Sequence, residues 1–324
     1  MSGKLVVGID IGGTNLRGVL SDEKSNFLHR IEEKVDTKNN MALSNQIADT
    51  VKKLCDSEGI GTNRIKGIGI ASTGPMRREE GVLINPSNLP FERIPITNPV
   101  EEKLDIPASL VNDCIAGVMG EKKFGIGRKR KAKNIVYVNI GTGIGGGAIV
   151  DGNVLFGHSG NAAEIGHLTI DPKMRLKCGC GKKGHWEAYC SGKNIPNFVK
   201  MKFDTADDER SRESVLFKRA KGDLSKITAR DLFEAAKSGD ELSRELLDEM
   251  GKMNAIGFSN VVDFFAPSVI TIGGTVALKN KKEILRPIKN RINDHIRNPE
   301  PEITITQLGE DIGLYGGVTE ALNL

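Results

Sequence analysis

The sequence predicts an α/β fold in which strands and helices alternate and one pattern occurs in two successive halves of the chain. The first observation is a pair of glycine turns, at residues 12–15 and 141–147, each lying between two strand-like runs. The second is that amphipathic stretches at helical spacing accompany these strands, as at residues 41–57. Two strand–turn–strand units in successive half-chains indicate a duplicated fold.

Length and composition describe an ordinary soluble globular protein with room for two domains. The 324 residues are 38% hydrophobic and 27% charged. No apolar run approaches the roughly 20 residues that a membrane span needs, and no signal peptide precedes the first strand. The five cysteines, an odd number, favour a reducing compartment over a disulfide framework. We therefore expect a cytoplasmic protein with no membrane partner.

The net charge of +4 comes partly from one basic cluster at residues 128–133. No aromatic side chains lie between these cations, so bases would have nothing to stack on. A solvated loop before a strand explains the cluster better than a nucleic-acid surface does. The sequence therefore predicts no nucleic-acid partner.

The first glycine turn joins strands predicted at residues 5–9 and 16–20, and a third strand is expected at residues 27–35. The turn contains the residues Asp10, Gly12, Gly13, Thr14 and Asn15. The glycines let backbone N–H groups approach an anion, and the threonine and asparagine add donors. The carboxylate of Asp10 suits a hydrated Mg²⁺ beside such a turn. A plain hairpin turn is the alternative.

Polar residues follow the next two predicted strands. The strand at residues 65–71 ends just before Gly74, at an edge where α/β sheets place ligand crevices. An extended loop rich in amide side chains then carries Asn88. The strand at residues 108–111 leads into Asn112 and Asp113, which open a helix that runs to about residue 124.

Asp113 has two interpretations from its position alone. At the start of a helix it can serve as an N-cap, which contributes about 1 kcal/mol. Because it also follows a strand where a crevice would open, it can act as a general base. Position does not separate the two interpretations.

The second glycine turn contains a G-x-G-x-x-G spacing that resembles a dinucleotide-binding motif. That motif must open a helix, whereas residues 148–156 are predicted to form a strand, a turn and a second strand. We therefore expect a second phosphate-binding turn, with Thr142 and Gly143 in it, and a polyphosphate held by both turns.

The segment from Glu164 to Glu187 has the composition of a metal site. Two thiols, a histidine five residues after the second and a histidine eleven residues before the first make a plausible tetrahedral Zn²⁺ set. These candidate ligands are His167, Cys178, Cys180 and His185. Glycines between them permit tight turns. A glycine-rich surface loop is the alternative interpretation.

The remaining C-terminal part alternates helices with strands. A charge-rich segment at residues 202–225 has no clear prediction and is expected to be peripheral. A helix is expected at residues 241–264, and a strand at 269–272 ends in Gly273 and Gly274, a glycine turn that would admit a flat base. Isoleucines at 284, 288, 292 and 296 form one apolar helical stripe, which we assign to the core.

Taken together, these motifs resemble the ROK family of sugar kinases, within the actin-like ATPase and hexokinase superfamily. The resemblance covers nearly the whole chain and depends on the order of six motifs. They are Asp10–Asn15, Asn112-Asp113, Gly141–Gly147, Glu164–His167, Cys178–Gly181 and Gly273-Gly274. Each motif is weak alone, but the ordered set is specific.

The resemblance implies two actin-like (ribonuclease H-like) domains with a cleft between them, each built on a βββαβα core. The smaller domain would consist of residues 1–113 and 311–324, and the larger of residues 114–310 with the metal loop. A homo-oligomer, dimer or tetramer, is also implied.

The resemblance assigns roles to individual residues. Asp113 would be the catalytic base. Sugar hydroxyls would be held by Gly74, Asn88, Asn112, Asp113, Glu164, His167 and Glu187. ATP and Mg²⁺ would be held by Asp10, Gly12, Gly13, Thr14, Asn15, Thr142, Gly143, Gly273 and Gly274. A structural Zn²⁺ would be bound by His167, Cys178, Cys180 and His185, where His185 replaces the third cysteine usual in the family.

The function implied is ATP-dependent phosphorylation of a hexose hydroxyl, the 6-hydroxyl of glucose. An N-acetylhexosamine kinase acting on N-acetylmannosamine or N-acetylglucosamine is the alternative. A non-enzymatic sugar-responsive regulator and a polyphosphate-dependent kinase are weaker alternatives. A zinc-bound His167 would offer its second ring nitrogen to the sugar in a fixed orientation.

Overall fold

The computed structural model describes residues 5–86, 90–206 and 212–324. Its strands, in chain order, are β1 (Leu5–Ile11), β2 (Asn15–Asp22), β3 (Phe27–Lys34), β4 (Ile65–Ser72), β5 (Met76–Arg77), β6 (Val82–Ile84), β7 (Arg93–Pro95), β8 (Ala108–Asn112), β9 (Ile135–Ile140), β10 (Ile144–Val150), β11 (Asn153–Val154), β12 (Val269–Gly273) and β13 (Glu302–Ile305). Its helices are α1 (Ala42–Ser57), α2 (Thr97–Leu104), α3 (Asp113–Lys123), α4 (Ile126–Lys129), α5 (Glu187–Cys190), α6 (Ile195–Ala206), α7 (Val215–Arg219), α8 (Ala229–Lys237), α9 (Glu241–Phe265), α10 (Thr275–Lys279), α11 (Lys281–Arg291) and α12 (Ile312–Ala321).

Two five-stranded sheets have the same strand order. The first runs β3-β2-β1-β4-β8 and the second β11-β10-β9-β12-β13, so in each sheet the third, second, first, fourth and fifth strands lie side by side. In the first sheet β1 pairs antiparallel with β2 and parallel with β4. In the second, β10 and β11 are antiparallel, and β12 and β13 are parallel. The predicted α/β fold and its duplication are confirmed.

The chain forms two compact units. Unit 1 consists of residues 1–137, 147–163 and 306–324, and unit 2 of residues 138–146 and 164–305. The predicted domains were residues 1–113 with 311–324, and residues 114–310. The two compact units divide the chain at different residues. The bounds of the functional domains stay a prediction.

The core of unit 1 lies on both faces of the first sheet. On one face α1 and α2 bury apolar side chains against the strands, as Ile47 and Leu54 do beside Ile9. On the other face α12 covers Val6 and Val19. Burial of one such aliphatic side chain contributes about 1.5–3 kcal/mol, so the two layers hold the strand ends in place.

In unit 2 the long helix α9 packs against the tryptophan of the candidate metal loop, residues 164–187. The indole ring of Trp186 is fully buried and lies so close to Gly257 that a Cβ there would be 2.3 Å from it. Its Nε1 donates a hydrogen bond of 2.8 Å to Asn254 Oδ1. The loop residues on either side of Trp186 are therefore anchored to the core of unit 2.

One prediction about the C-terminal part needs correction, and one segment that had no structural prediction contains helices. The charge-rich segment at 202–225 contains the end of α6 and all of α7. The isoleucine stripe is not one helix, because α11 ends at Arg291 and Ile296 is only partly buried. The carboxylate of Asp263 accepts hydrogen bonds from the backbone N–H groups of Arg297 and Asn298, at 3.0 and 3.1 Å. The backbone is therefore bound to a side chain beyond the helix.

The other predicted helices and strands are confirmed within the described residues. The basic cluster at 128–133 was expected to be a loop, but Arg128 and Lys129 belong to α4. Thr228 and Asp231 form the predicted capping box at the start of α8, each side chain bonding the other's backbone N–H. None of the helices in the described ranges is long and apolar enough to cross a membrane.

Candidate active site and metal site

The first glycine turn of unit 1 lies between β1 and β2 and is exposed at residues 12–15. The N–H of Gly12 donates to the carbonyl oxygen of Asn15 at 2.9 Å, which closes the turn. The side chain of Asn15 donates to Glu32 Oε1 at 2.8 Å. The turn thus presents Gly13 and Thr14 to solvent at the end of a buried strand, where an anion can approach them.

Asp10 is buried at the end of β1 and faces Arg17, its cross-strand partner on β2. The Arg17 guanidinium forms an ion pair with the Asp10 carboxylate and donates to the carbonyl oxygen of Glu310 at 2.9 Å. Burial raises the pKa of Asp10, and the charge of Arg17 opposes that shift. A Cβ on Gly313 would lie 2.6 Å from the carboxylate, so only glycine fits there.

Asn112 and Asp113 stand where β8 meets α3. Asn112 is the N-cap: its Oδ1 accepts hydrogen bonds from the backbone N–H groups of Cys114 and Ile115, at 2.9 and 3.3 Å. The N-cap interpretation of Asp113 is therefore wrong, because Asp113 is the first helical residue. Its Oδ1 accepts from the N–H of Cys114 at 2.8 Å. The carboxylate of Asp113 therefore lies in the first turn of α3.

Gly74 lies beside Asn112 in unit 1, next to an asparagine that the sequence did not single out. A Cβ on Gly74 would be 2.9 Å from Asn161 Oδ1 and 3.5 Å from Asn112 Nδ2. The Asn161 amide is fixed by accepting from the N–H of Met76 at 3.1 Å and donating to its carbonyl oxygen at 2.8 Å. Asn88 lies outside the described residues.

The second glycine turn belongs to unit 2 and is supported by Glu187. The Glu187 Oε2 accepts from the N–H of Ile144 at 3.0 Å, and a Cβ on Gly143 would lie 2.6 Å from the same oxygen. The carbonyl oxygen of Thr142 accepts from the N–H of Lys193 at 3.1 Å. The strand β10 follows this turn, which confirms that it does not form a dinucleotide-binding motif.

Gly273 and Gly274 end β12 close to the second glycine turn. Gly274 has φ of 87° and a Cβ on it would lie 2.5 Å from the carbonyl oxygen of Ile140, so no other residue fits without strain. A Cβ on Gly141 would lie 3.7 Å from the N–H nitrogen of Thr275. Unit 2 therefore brings two glycine segments side by side.

The four predicted zinc ligands come together in unit 2. One donor atom each of His167, Cys178, Cys180 and His185 lies within 4.8 Å of the others. The Nδ1 of His185 is 3.3 Å from Cys180 Sγ and 3.3 Å from His167 Nδ1, which is 3.7 Å from Cys178 Sγ. Two sulfur and two imidazole donors form a set that suits tetrahedral Zn²⁺.

Local backbone pairing folds this loop. Isolated β-bridges join Thr169 to His185 and Lys177 to Lys183. Inside the Lys177–Lys183 bridge the N–H of Gly181 donates to the carbonyl oxygen of Cys178 at 2.9 Å, so both thiols belong to one tight turn. Ligands that are distant in sequence are thus placed by a hairpin-like loop.

A buried aspartate and a buried tyrosine form hydrogen bonds within the candidate metal loop and next to it. The Tyr189 hydroxyl donates to Asp171 Oδ2 at 2.5 Å and accepts from the N–H of Leu176 at 3.0 Å. Arg175 Nε also donates to Asp171 Oδ2, at 2.9 Å. Burial favours neutral Asp171, but these hydrogen bonds hold its pKa below the usual range, while burial and the Asp171 bond raise the pKa of Tyr189 to about 12.

His167 has its two ring nitrogens in different surroundings. Its Nδ1 faces the cysteines and His185, and its Nε2 lies 3.8 Å from Glu164 Oε2. The carboxylate of Glu187 adds a second link in unit 2, since Cys178 Sγ lies 3.3 Å from its Oε1. One histidine and one glutamate therefore connect the candidate metal site with the other candidate binding residues of unit 2.

The profile of the ROK family matches residues 6–322, nearly the whole chain. The chain belongs to the ROK family. This match confirms the family resemblance that the motifs indicated. Individual relatives are similar to the chain over most of its length.

A glucokinase from Pyrobaculum calidifontis is 30% identical over 305 residues, which cover 94% of this chain and 90% of that protein. Two crystal structures have the same fold. A ROK glucokinase from Streptomyces griseus in complex with glucose and AMPPNP is 27% identical, with a TM-score of 0.76 over 99% of this chain and 100% of that one. A ROK hexokinase from Thermus thermophilus is 26% identical, with a TM-score of 0.80 over 98% of each chain.

Several residues around these ROK motifs were missed in the sequence. Arg17 could have been found, because a hairpin centred on residues 12–15 places it opposite Asp10. Asn161, Asp171 and Tyr189 carry no such signal, since their partners follow from the folding of irregular loops.

Proposed function

We propose that this ROK protein is an ATP-dependent glucokinase that phosphorylates the 6-hydroxyl of glucose. The observation that carries the proposal is the position of Asp113 at the N-terminus of α3, with Asn112 capping the same helix. A carboxylate held there is an acceptor for a hydroxyl proton. The glucokinase relatives and the glucose complex of the Streptomyces griseus protein support glucose as the acceptor.

In the proposed reaction the 6-hydroxyl oxygen attacks the γ-phosphorus of ATP and the bond to the β-phosphate oxygen breaks. The hydroxyl proton passes to the Asp113 carboxylate, and ADP leaves. Because such transition states are loose, positioning and charge neutralisation contribute more than covalent help. The N–H of Cys114 holds the Asp113 carboxylate at the start of α3 before the transfer.

We infer sugar-binding roles for residues of each unit, as the family resemblance implies. In unit 1 the candidates are Asn112 and Gly74, and at Gly74 a larger residue would collide with Asn161. In unit 2 the candidates are Glu164 and His167, with Glu187 supporting the glycine turn from behind. Carboxylates suit this role because each accepts two hydroxyl hydrogen bonds.

ATP is proposed to bind at the glycine segments. The candidate segment of unit 1 is the exposed turn at residues 12–15. The candidate segments of unit 2 are those around Thr142–Gly143 and Gly273–Gly274. Mg²⁺ would accompany the nucleotide. Asp10 is buried and paired with Arg17, so it fits the role of orienting the metal's water ligands rather than binding the ion directly.

Zn²⁺ is proposed at His167, Cys178, Cys180 and His185, whose donor atoms fit the ion in type and separation. When bound, the ion would cross-link the loop. His167 would then hold its Nε2 toward Glu164 in one tautomer, available to a sugar hydroxyl.

Replacing Asp113 with asparagine tests the proposal. We expect Asp113→Asn to lower kcat by about 10²–10⁴-fold, the usual contribution of a general base, with glucose affinity largely retained. Kinetics come from an ADP-release assay, and affinity from the fluorescence of the single tryptophan, Trp186. The control is Asp56→Asn, at an exposed position near the end of α1. Normal turnover of Asp113→Asn would refute the role of the base.

The same assay separates the acceptors and donors. Rates with glucose are compared with those for N-acetylmannosamine and N-acetylglucosamine, and ATP is compared with polyphosphate. A higher kcat/KM for an N-acetylhexosamine would replace the glucokinase proposal with the alternative. Light scattering of the eluting protein measures whether the predicted homo-oligomer forms.

A further inference from the structure

A groove of about 590 Å³ lies in unit 2, among α8, the N-terminal half of α9, and α11. None of the residues that line it belongs to the proposed sugar, ATP or zinc sites. Its volume falls within the roughly 300–1,000 Å³ of small-molecule sites. The groove is therefore large enough for a metabolite of mononucleotide size.

Close packing of two helices forms the floor of the groove. Pro287 lies inside α11 and meets α9 at Gly251, where a Cβ would be 2.5 Å from the Pro287 ring. Leu247 and Ala236 add apolar surface beside it. An organic body can therefore bury apolar area against this floor.

The rim of the groove is strongly cationic. Its two carboxylates are already paired, Asp248 with Arg291 and Glu283 with Lys237. Three further cations line it: Arg244, Lys282 and Arg286. Within the described ranges these three form no ion pair, and the Arg244 Nε donates only to the carbonyl oxygen of Ala236, at 3.2 Å. Arg244, Lys282 and Arg286 therefore give the rim about three positive charges that no carboxylate neutralises, beside an apolar floor.

We propose that this groove binds an organic phosphate, with the phosphate at the Arg244, Lys282 and Arg286 rim and the organic body on Leu247 and Pro287. A phosphate monoester carries about −1.5 to −2 charges near pH 7, which three unpaired cations can neutralise. Arginine suits it further because its planar guanidinium donates to two phosphate oxygens at once.

The groove is joined to the glycine segment at the end of β12. Lys237 Nζ donates to Asn280 Oδ1 at 2.8 Å, and Asn280 Nδ2 donates to the carbonyl oxygen of Val276 at 3.0 Å. Val276 lies two residues after Gly274. A phosphate bound at the rim would also attract the Lys237 amine, which lines the same groove, and would draw it away from Asn280. This ligand is therefore expected to change the KM for ATP, an effect that rests on the proposed ATP role of Gly274.

The binding test uses calorimetry with glucose 6-phosphate, AMP and inorganic phosphate as probes. We expect at least one organic phosphate to bind more tightly than inorganic phosphate, and the variant Lys282→Glu/Arg286→Glu to weaken that binding at least about tenfold. The control is Lys281→Glu/Lys289→Glu, which makes the same change in net charge at exposed positions of α11 outside the groove. Any binding at the proposed ATP or sugar site is retained in both variants.

Three outcomes would overturn the proposal. The first is an equal loss of binding in the two double variants, and the second is retention of all organic phosphate binding in Lys282→Glu/Arg286→Glu. The third is a changed oligomeric state of that variant, which would make the groove a subunit interface. An unchanged KM for ATP in wild-type protein saturated with the bound phosphate would refute its regulatory effect. Glucose phosphorylation without added ligand is expected to be equal in the two variants, so failure of binding is distinguishable from failure of the kinase proposal.

Discussion

At the scale of single residues, Glu121 is an ionisable group whose role is structural. It is fully buried near the end of α3, where its Oε2 accepts from the N–H of Ile126 at 3.1 Å and its Oε1 accepts from the Thr306 hydroxyl. Burial raises its pKa, while the hydrogen bonds from Thr306 and Ile126 and the charge of Lys129 oppose the shift. Glu121 thus joins segments that are distant in sequence at the cost of burying an acid.

Glu121 should make the stability of the protein depend on pH. Because its pKa is raised above the ordinary 4.5, the folded state binds more protons than the unfolded state between the two pKa values. Its favourable contribution is complete below the unfolded pKa and is lost as pH rises through the folded pKa. In Glu121→Gln the amide oxygen can accept from the Ile126 N–H and the amide nitrogen can donate to the Thr306 hydroxyl oxygen, without this titration. We expect the free energy of unfolding of Glu121→Gln, relative to that of the wild type, to increase as pH rises from about 4.5. Urea unfolding at a series of pH values measures it.

The control for this experiment is Glu121→Ala. It leaves the Ile126 N–H and the Thr306 hydroxyl without their acceptor and should cost about 2 kcal/mol or more at every pH. If Glu121→Gln and wild type show parallel pH dependence, the carboxyl does not titrate with a raised pKa in the folded protein.

At the scale of elements, α12 is held by glycine contacts on two sides. A Cβ on Gly69 of β4 would lie 2.0 Å from the carbonyl oxygen of Gly317, and a Cβ on Gly316 would lie 2.3 Å from that of Ala116 in α3. The helix therefore approaches a strand and a second helix at backbone distance. Near its start, Gly313 leaves the space that the Asp10 carboxylate occupies.

Gly316→Ala should destabilise unit 1 despite the better helix propensity of alanine. The propensity gain is about 1 kcal/mol, whereas the new methyl group would meet the backbone of α3, and overpacking of this kind costs about 1–3 kcal/mol. We expect a net loss of stability in denaturant unfolding. Gly12→Ala is the matched control, since its Cβ would meet only the Asn15 carbonyl oxygen at 3.6 Å. An unchanged or higher midpoint for Gly316→Ala would contradict the close-packing argument.

At the scale of the whole molecule, the candidate metal ligands and the main apolar core of unit 1 consist of different residues. That core is built from the first sheet with α1 and α2 and contains none of the four candidate ligands. Of these ligands Cys180 is exposed and Cys178 is buried. Loss of the metal should therefore act on the loop and its neighbours before it acts on the fold.

Zinc removal should lower sugar affinity in protein that remains folded. We expect about one zinc per chain by elemental analysis, and a glucose affinity that falls about 10–100-fold after chelation, as when a metal's supporting contacts are lost. Far-UV circular dichroism should change little. Cys180→Ser should have the same effect, whereas Cys55→Ala, in α1 and far from the ligands in sequence, should keep its zinc. Unchanged glucose affinity in the zinc-free, folded protein would show that His167 does not link metal and sugar.

Much of the candidate site could be predicted because its signals are local. The glycine turns, the strand end at Asn112 and the Cys–Gly–Cys pair are each defined within a few residues. The assignment of the helix cap was less certain, because Asn112 and Asp113 are both good capping residues and only the backbone angles place the cap at Asn112. The end of α11 was also hidden, since the bonds from Arg297 and Asn298 to Asp263 join residues more than thirty positions apart.

The sequence by itself determined the alternation of strands and helices, the two glycine turns and the four candidate metal ligands, because residue chemistry and short-range spacing specify these features. Only the tertiary structure decided that Arg17 pairs with Asp10, that Glu187 supports the Gly143 turn, and that an apolar, cationic groove forms beside α11. Such contacts depend on how distant segments pack. Packing is set by shape and burial across the fold, which spacing along the chain does not encode.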